Sequence, residues 1–283
     1  MSDYIRKLDA SRRTVLGGAA AAGAAAAMGP TILGGTEAKA AEPKSGGTLR
    51  AGLGHGSTTD SLDPATYENG FSSFMGIGGL FNYMTAVDET NQLSPELAEE
   101  WEATPDAMTW TFKIREGIEF HNGKTMTPDD IVGSLNYHRG ADSVSAISSL
   151  FEQVTDIQAK DNTVVISLNA GNADFPYIMS DYHLGIQPTS EGAIVDPLSG
   201  IGAGSYMLVE YEPGVASRLT RNPNYWKDNA GWFNDVEMTT IADPAARQNA
   251  MLSGQVDIID RVDTKTAHLL AQHPAVDLVE ATG

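Results

Sequence analysis

Few of the residue types that carry out catalysis occur in this chain at a spacing that would let them act together. The six histidines never form the HExxH pattern of a zinc-binding helix. His268 and His273 are one residue too far apart to place two metal ligands on a single helix face. The sequence has no cysteine and no GxSxG motif for a serine nucleophile. We therefore predict no catalytic residues, no metal site and no cofactor.

A short glycine series is similar to a phosphate-binding loop in composition only. Gly52, Gly54 and Gly56 are followed by polar residues and a proline, whereas a phosphate-binding loop leads into a helix. We interpret the series as a flexible turn. Asp60 and Asp63 follow it and carry oxygen ligands suited to calcium, but the spacing of an EF-hand loop is absent.

The elements that would position any site are clearest between Leu93 and Arg139. Ser94 and Pro95 have the pattern of a helix start, with Leu97, Ala98 and Trp101 on one face of the predicted helix. A run of alternating apolar and polar residues follows at 108–115 and predicts a half-buried strand.

The alternation resumes at 118–120, which predicts a hairpin with 108–115 around Gly117. Thr127 and Pro128 then predict the start of a helix that runs to about Arg139. Further along, the sequence predicts a second hairpin and two short helices. These lie at 154–168, from Asp243 to Gly254, and from Asp263 or Thr264 to a point before Pro274.

The first 40 residues have the pattern of an export signal. A Gly/Ala-rich apolar run at 15–28 is shorter than the ~20 residues that a membrane-spanning helix needs. Ser11–Leu16 fits the twin-arginine form, and Ala38–Ala40 is similar to a cleavage site. We predict a twin-arginine signal peptide over 1–40. Since no cysteine is available for lipid attachment, we expect a periplasmic protein that is not a lipoprotein.

The charge balance excludes one class of partner. The chain has 18 Lys and Arg against 37 Asp and Glu, a formal net charge of −19. Binding to nucleic acid needs basic patches that neutralise phosphates, so we predict no nucleic-acid partner. A solvated acidic surface explains the charge, and attraction of a cationic ligand is the alternative.

Several motifs, in a fixed order, resemble the extracytoplasmic solute-binding proteins of family 5, the peptide and nickel transporter class. The central ones are LAEEW at 97–101, WTFKIREGIEFHNG at 110–123 and TPDD at 127–130. The flanking ones are GTLR at 47–50, SLDP at 61–64, RNPNYW at 221–226 and LSGQVDI at 252–258. One departure is GAGSY at 202–206, where the family usually has a proline before the tyrosine. The resemblance covers roughly residues 45–283.

The resemblance implies a mixed α/β (α+β) fold of the type II periplasmic-binding-protein class. It implies a discontinuous first lobe over 43–79 and 193–275, with a small β-rich domain inserted over 80–192. Residues 276–283 would begin the crossover to a second lobe that this sequence lacks. We therefore expect the chain to bind its solute more weakly than a full-length version would.

By resemblance, one wall of the solute cleft comes from the loop after the LDP turn and from the segment before Pro188. The corresponding candidate ligand-binding residues are Tyr67, Asn69, Phe71, Phe74, Tyr182 and His183. Aromatic side chains suit such a cleft because they bury a large area and can face either an apolar group or a cation. For Phe71 and Phe74, ordinary core packing is the alternative.

The function that the resemblance implies is transport. The protein would be the periplasmic solute-binding component of an ABC importer, monomeric when full length, and not an enzyme. It would capture short peptides or a similar small solute and deliver them to permease and ATPase subunits in the membrane. Nickel chelates, opines, oligosaccharides and haem stay open as ligands. A secreted hydrolase and a sensory binding module are the alternatives from other classes.

Overall fold

The computed structural model describes residues 43–88 and 90–279, so the signal predicted over 1–40 lies outside the described residues. Contacts between backbone positions define a main unit over 45–263. The described part of the second unit comprises 43–44 and 264–279. Within the described ranges, no helix combines the length and the apolar character needed to cross a membrane.

A five-stranded mixed sheet is built from both ends of the main unit. β1 (Thr48–Leu53) pairs in parallel with β12 (Asp235–Thr240) on one side and with β13 (Ile258–Ile259) on the other. β10 (Tyr206–Glu212) and β11 (Ala216–Arg221) extend the sheet with antiparallel pairs, giving the order β10-β11-β12-β1-β13. β1 is a central strand, and Leu49, Ala51 and Leu53, which lie on one of its faces, are buried.

The middle of the chain forms a separate antiparallel sheet with the order β4-β5-β7-β6. Its strands are β4 (Ala98–Ala103), β5 (Thr109–Ile114), β6 (Val154–Lys160) and β7 (Thr163–Leu168). Two short pairs complete the strands: β2 (Thr85–Val87) with β3 (Leu93–Pro95), and β8 (Thr189–Ser190) with β9 (Ala193–Ile194). Alternate residues of β5 and β7 are buried, which confirms the period-two prediction for both.

The helices are short. They are α1 (Gly70–Met75), α2 (Pro128–Asn136), α3 (Phe175–Ile178), α4 (Pro244–Leu252) and α5 (Ala267–Ala271). A wide helical turn, Gly76–Leu80, continues α1. Asp243 caps α4 as predicted, since its Oδ1 accepts a hydrogen bond of 2.7 Å from the backbone N–H of Ala246. α5 begins later than the predicted Asp263 or Thr264.

The helix predicted from Ser94 and Pro95 is wrong, because this segment forms β3 and β4. The reason is a β-bulge between Ala98 and Glu100, which inserts one extra residue into β4. A bulge resets the alternation of faces, so Ala98 and Trp101 pair with Ile114 and Phe112 on one side of the sheet. The same spacing of side chains on one face therefore arises without a helix.

The predicted hairpin between 108–115 and 118–120 is also wrong. β5 pairs with β4 and β7, which are distant in sequence from 118–120. Ile118–Phe120 instead turns back on Lys124–Met126, with hydrogen bonds of 2.9 and 2.8 Å between their backbones. Ile118 and Phe120 are nevertheless buried, so their assignment to the core is confirmed.

Candidate functional site

Three parallel strands end at one edge of the five-stranded sheet. β1, β12 and β13 run in the same direction and end at Leu53, Thr240 and Ile259. In open sheets with parallel strands, ligands bind in the crevice outside the carboxyl ends of those strands. We call the residues that follow these ends, 54–60, 241–243 and 260–261, the strand-end edge. It is the first place in this fold to look for a ligand site.

A buried arginine connects two of the loops that form the strand-end edge. Arg247 of α4 is 4% exposed. Its guanidinium donates hydrogen bonds to the carbonyl oxygens of Ile241 (2.6 Å) and Ala242 (3.2 Å), which follow β12. It also donates to the carbonyl oxygens of Asp260 (3.1 Å) and Arg261 (3.0 Å), which follow β13. One side chain therefore fixes the backbones of two strand-end loops relative to each other.

The glycines after β1 allow these groups to approach closely. A Cβ atom on Gly54 would lie 2.9 Å from Cζ of Arg247, and one on Gly56 would lie 2.7 Å from the carbonyl oxygen of Gly214. The backbone N–H of Gly54 donates a hydrogen bond of 2.6 Å to Oδ1 of Asp260. The interpretation of this series as a flexible turn is therefore wrong, because the glycines are close-packing positions.

Asn69, a predicted ligand-binding residue, joins the strand-end edge to α1. Its Nδ2 donates to Oδ1 of Asp60, whose Oδ2 accepts a hydrogen bond of 3.0 Å from the backbone N–H of Ser57. Its Oδ1 accepts hydrogen bonds from the backbone N–H groups of Phe71 (2.9 Å) and Ser72 (3.3 Å). Asn69 is thus the N-cap of α1, a position for which asparagine is strongly preferred.

The three predicted aromatic residues near α1 differ in exposure. Phe71 is fully buried, so core packing accounts for it. Tyr67 is 2% exposed and lies against Gly76, where an added Cβ would come within 2.7 Å of its ring. Its hydroxyl is buried and has no hydrogen-bond partner among the described residues, and burial raises its pKa well above the usual value. Phe74 is half-buried and keeps part of its ring accessible.

Tyr182 and His183 are neighbours in sequence, and His183 contacts the backbone of Tyr67. Their ring centroids lie 4.0 Å apart with the ring planes tilted by 32°, and Tyr182 is half-buried. His183 is 5% exposed. Its Nδ1 lies 2.7 Å from Oδ1 of Asp181, and its Nε2 lies 2.9 Å from the carbonyl oxygen of Tyr67. The structure therefore brings Tyr67 and His183 into direct contact.

Five of the six predicted residues fall into two groups, and Phe74 lies apart from both. Asn69 and Phe71 belong to the cap of α1, while His183 contacts both the Tyr67 carbonyl and the Tyr182 ring. Sequence reasoning missed Arg247 and Asp260. The available signals were an arginine inside a helix that begins with Asp-Pro, and an aspartate at the end of the apolar run VDIID.

Two of the recognised motifs interlock beside the wide turn Gly76–Leu80. His121 of the FHNG motif hydrogen-bonds through Nε2 to the carbonyl oxygen of Gly204 (3.1 Å), and its Nδ1 accepts from the N–H of Gly202 (3.3 Å). Burial lowers the pKa of His121, in keeping with a neutral ring. A Cβ on Gly204 would lie 1.9 Å from the carbonyl oxygen of Gly79, so this contact requires glycine.

A third motif, RNPNYW, supplies a buried polar network. Trp226 donates through Nε1 to Oδ1 of Asn82 at 3.1 Å, and Asn82 donates through Nδ2 to Oε1 of Glu96. Lys227 pairs with the other oxygen of Glu96, which is 6% exposed. The Trp226 ring also lies 4.7 Å from Cζ of Arg115 and 4.8 Å from Nζ of Lys227, both cation–π distances. These motif residues stabilise the scaffold.

Residues that could hold a metal do not converge in the structure. Among residues 43–88 and 90–279, no three His, Asp or Glu side chains form a group able to hold an ion. The groups described at the strand-end edge offer hydrogen bonds and charge.

Comparison with known proteins decides the family. The sequence profile described as "Bacterial extracellular solute-binding proteins, family 5 Middle" matches residues 92–283. The chain belongs to this family. A probable peptide ABC transporter periplasmic-binding protein of Sinorhizobium fredii is 26% identical over 295 residues, which cover 95% of this chain and 52% of that protein.

Solved structures of solute-binding proteins share the fold. The periplasmic binding protein AgaA of A. tumefaciens R10, in complex with agropinic acid, has a TM-score of 0.73 at 25% identity, with 81% of this chain and 46% of AgaA covered. DppA of Helicobacter pylori, in complex with the peptide STSA, has a TM-score of 0.70 at 20% identity, with 82% and 50% covered. These neighbours confirm the predicted fold of type II periplasmic binding proteins.

This family 5 chain spans about half the length of the curated relatives that it matches. The named relatives are solute-binding transport proteins, which does not favour the alternative of a secreted hydrolase. The relative from S. fredii is a periplasmic-binding protein, in agreement with a place outside the cytoplasm.

Proposed function

We propose that this protein captures a small solute for an ABC importer and delivers it to permease and ATPase subunits, without catalysing a reaction. Short peptides are the first candidates, because the relative from S. fredii carries a peptide-transporter name and DppA binds a peptide. Agropinic acid, the ligand of AgaA, makes a second chemical class worth testing. The observation that carries the proposal is the match to family 5 over residues 92–283.

We assign the solute site to the strand-end edge together with the loop from Tyr67 to Phe74 and the pair Tyr182–His183. Asp60 and Asp260 place carboxylates at this edge, and their described partners are backbone N–H groups, Asn69 and Arg247. Phe74 and Tyr182 retain exposed aromatic surface, so they are suited to contact the solute directly. The buried members, Tyr67, Phe71 and His183, would shape the site from behind.

The remaining organisation follows the family. The first lobe would comprise 43–79 and 193–275, with the inserted domain at 80–192 and a crossover beginning at 276–283. Export by a twin-arginine signal over 1–40 would place a folded, non-lipidated monomer in the periplasm. The sheet memberships support this division, since β1 and β10 to β13 form one sheet and β4 to β7 form the other.

Calorimetric titration with the tripeptide Ala-Ala-Ala, agropinic acid and a nickel–histidine complex tests the function. We expect one of these to bind reversibly and to be recovered unchanged. Phe74→Ala and Tyr182→Ala should each weaken binding about tenfold or more through lost contact area. Tyr177→Ala is the matched control, because Tyr177 is 43% exposed on α3 and lies outside the proposed site.

Two results would count against the proposal. The function is wrong if none of the three probes binds, and equally if a probe is converted to product over many turnovers. The site is wrong if a probe binds but Phe74→Ala and Tyr182→Ala bind it as well as Tyr177→Ala does.

A further inference from the structure

Three buried histidines have hydrogen-bond environments that require different protonation states. At His121 one ring nitrogen faces a carbonyl oxygen and the other accepts an N–H, an arrangement that a neutral ring satisfies. At His138, Nδ1 lies 2.7 Å from the hydroxyl of Ser145, which can donate or accept. Burial lowers the pKa of His138 to about 4, so its ring is neutral near neutral pH.

His183 differs because both of its ring nitrogens face acceptors. The carboxylate of Asp181 lies 2.7 Å from Nδ1, and the carbonyl oxygen of Tyr67 lies 2.9 Å from Nε2. A neutral imidazole carries only one N–H, so it would leave one of these acceptors without its hydrogen bond. His183 is only 5% exposed, so water cannot readily replace that bond. An imidazolium donates to both.

Asp181 is arranged to receive that charge. Its Oδ1 also accepts a hydrogen bond of 2.9 Å from the backbone N–H of His183. Burial raises the pKa of Asp181, but the hydrogen bonds from the ring and backbone of His183 outweigh burial and hold this pKa below its ordinary value. Asp181 is therefore an anion whenever the ring beside it is charged.

We infer that His183 is a positioning residue, whose doubly protonated ring clamps the Tyr67 carbonyl to Asp181 and so holds the loop from Tyr67 to Phe74 in its solute-binding conformation. The inference rests on the solute site proposed above. Affinity for the solute should therefore rise as His183 gains its second proton. Loss of that proton breaks one of the two hydrogen bonds and releases the loop.

The neighbours of His183 do not replace it as the donor to Asp181 and to the Tyr67 carbonyl. Burial is the main cause of the lowered pKa of His138, and the charge of His183 lowers that pKa further. Tyr182 contacts the His183 ring in a tilted arrangement, and burial raises the pKa of Tyr182, as it does for Tyr67 and Tyr83 nearby. Near neutral pH these phenols stay neutral, so they add no charge beside His183.

The test measures binding of Ala-Ala-Ala against pH in the whole protein. Between about pH 8 and about pH 6, we expect the affinity of the wild type to rise about tenfold, the value of one charge-assisted hydrogen bond. His183→Gln should bind weakly with a flat profile, since an amide has no proton to gain. His273→Gln, at an exposed histidine of the second unit, is the control and should keep the wild-type profile.

Ring ¹⁵N NMR of the solute-free protein separates this inference from the solute site. We expect the His183 nitrogens to change together from the imidazolium to the neutral form as pH rises, with the amide signals of 67–71 following the same curve. If the tripeptide, agropinic acid and the nickel complex all fail to bind, the proposed function fails, and the NMR curve still decides whether the clamp exists.

The inference is overturned if His183 stays neutral across the range while the amides of 67–71 do not change. It is also overturned if wild type and His183→Gln share one affinity profile. Should His183→Gln fail to fold, Asp181→Asn replaces it. This variant keeps an acceptor for Nδ1 but removes the charge, and it should bind more weakly at about pH 6 than the wild type does.

Discussion

At the scale of single residues, Asp130 stands out among the carboxylates at helix starts in the described structure because of the number of hydrogen bonds that it accepts. It is fully buried, and its Oδ2 accepts a hydrogen bond of 2.9 Å from the backbone N–H of Thr127, the N-cap of α2. Its Oδ1 accepts from the backbone N–H of Thr189 (2.8 Å) and from Nζ of Lys124. The residue therefore joins α2, β8 and the turn that contains Lys124.

This arrangement predicts acid sensitivity at Asp130. Burial raises its pKa, but the hydrogen bonds from Lys124, Thr189 and Thr127 lower it more, so the folded-state pKa lies below the ordinary value. A carboxylate with a depressed pKa contributes stability above the unfolded-state pKa of about 3.9, and that contribution is lost as the pH falls through the folded-state pKa. We expect Asp130→Asn to cost about 1–3 kcal/mol near neutral pH, because Lys124 loses its charged partner.

Urea unfolding at about pH 7 and at about pH 3 measures both effects. The stability difference between wild type and Asp130→Asn should shrink at the lower pH. Asp129→Asn is the matched control, since Asp129 is the exposed neighbour in the same helical turn and should change stability little. A deficit in Asp130→Asn that stays the same at both pH values would contradict the assignment of the stability to the charged form.

At the scale of elements, the RNPNYW segment fastens the end of β11 to the region before β4. Trp226 reaches Asn82, and through it Glu96, by a hydrogen bond of 3.1 Å from its indole nitrogen. Trp226→Phe keeps an aromatic ring but removes this donor and weakens the contacts with Arg115 and Lys227. Because the Asn82 oxygen is left buried without its donor, we expect a loss of about 1–3 kcal/mol in the free energy of unfolding.

Chemical denaturation of the single variants checks this value. Trp101→Phe is the control, because Trp101 is half-buried and packs on Phe112, with ring centroids 6.4 Å apart, in the other sheet. If the two variants lose the same free energy of unfolding, ring size alone accounts for the effect and the hydrogen bond to Asn82 contributes nothing measurable.

How far the sequence predicts these elements depends on whether their determinants are local. α2 and α4 begin at side-chain caps within four residues of the helix, so both starts were predictable. The alternation in β5 and β7 was equally local. β4 was not predictable, because its bulge between Ala98 and Glu100 is defined by pairing with β5 and produces a helix-like spacing.

The candidate site shows the same difference between features with local determinants and features that depend on tertiary packing. The resemblance pointed to Tyr67 and His183 separately, but their contact joins positions 116 residues apart and follows from tertiary packing. The only local signal for Arg247 was its place in a short helix that begins with Asp-Pro, and its hydrogen bonds to four carbonyl groups follow from tertiary packing. A sequence pattern indicates which face of an element is apolar. Predicting a site formed by three strand ends also requires the order of the strands in the sheet.

At the scale of the whole molecule, the main sheet depends on contacts between distant parts of the chain. β1 lies between β12 and β13, and the side chain of Arg50 bonds to Asp257, 207 residues away, at 3.0 and 2.9 Å. Such pairing slows folding, because a long loop must close before the strands gain their hydrogen bonds. The strand-end edge is complete only when this sheet is complete, so the proposed solute site forms only in the finished fold.

The net charge of −19 predicts how the whole molecule responds to salt. A compact chain with so many like charges is destabilised by self-repulsion, and salt screens charges beyond about 10 Å at 0.1 M ionic strength. We therefore expect the melting temperature to rise by about 3 °C between about 0.02 M and 0.5 M NaCl, which corresponds to about 1 kcal/mol for a chain of this size. Differential scanning calorimetry gives the value directly.

Two comparisons separate screening from other effects of salt. KCl should act as NaCl does, because screening depends on ionic strength and not on the identity of the cation. A double variant, Glu102→Lys with Glu116→Lys, changes two exposed acids and should show a smaller rise, because less repulsion is left to screen. If the wild type melts at a lower temperature in high salt, attractive ion pairs such as Arg50–Asp257 outweigh the repulsion, and the excess of acidic residues does not limit stability.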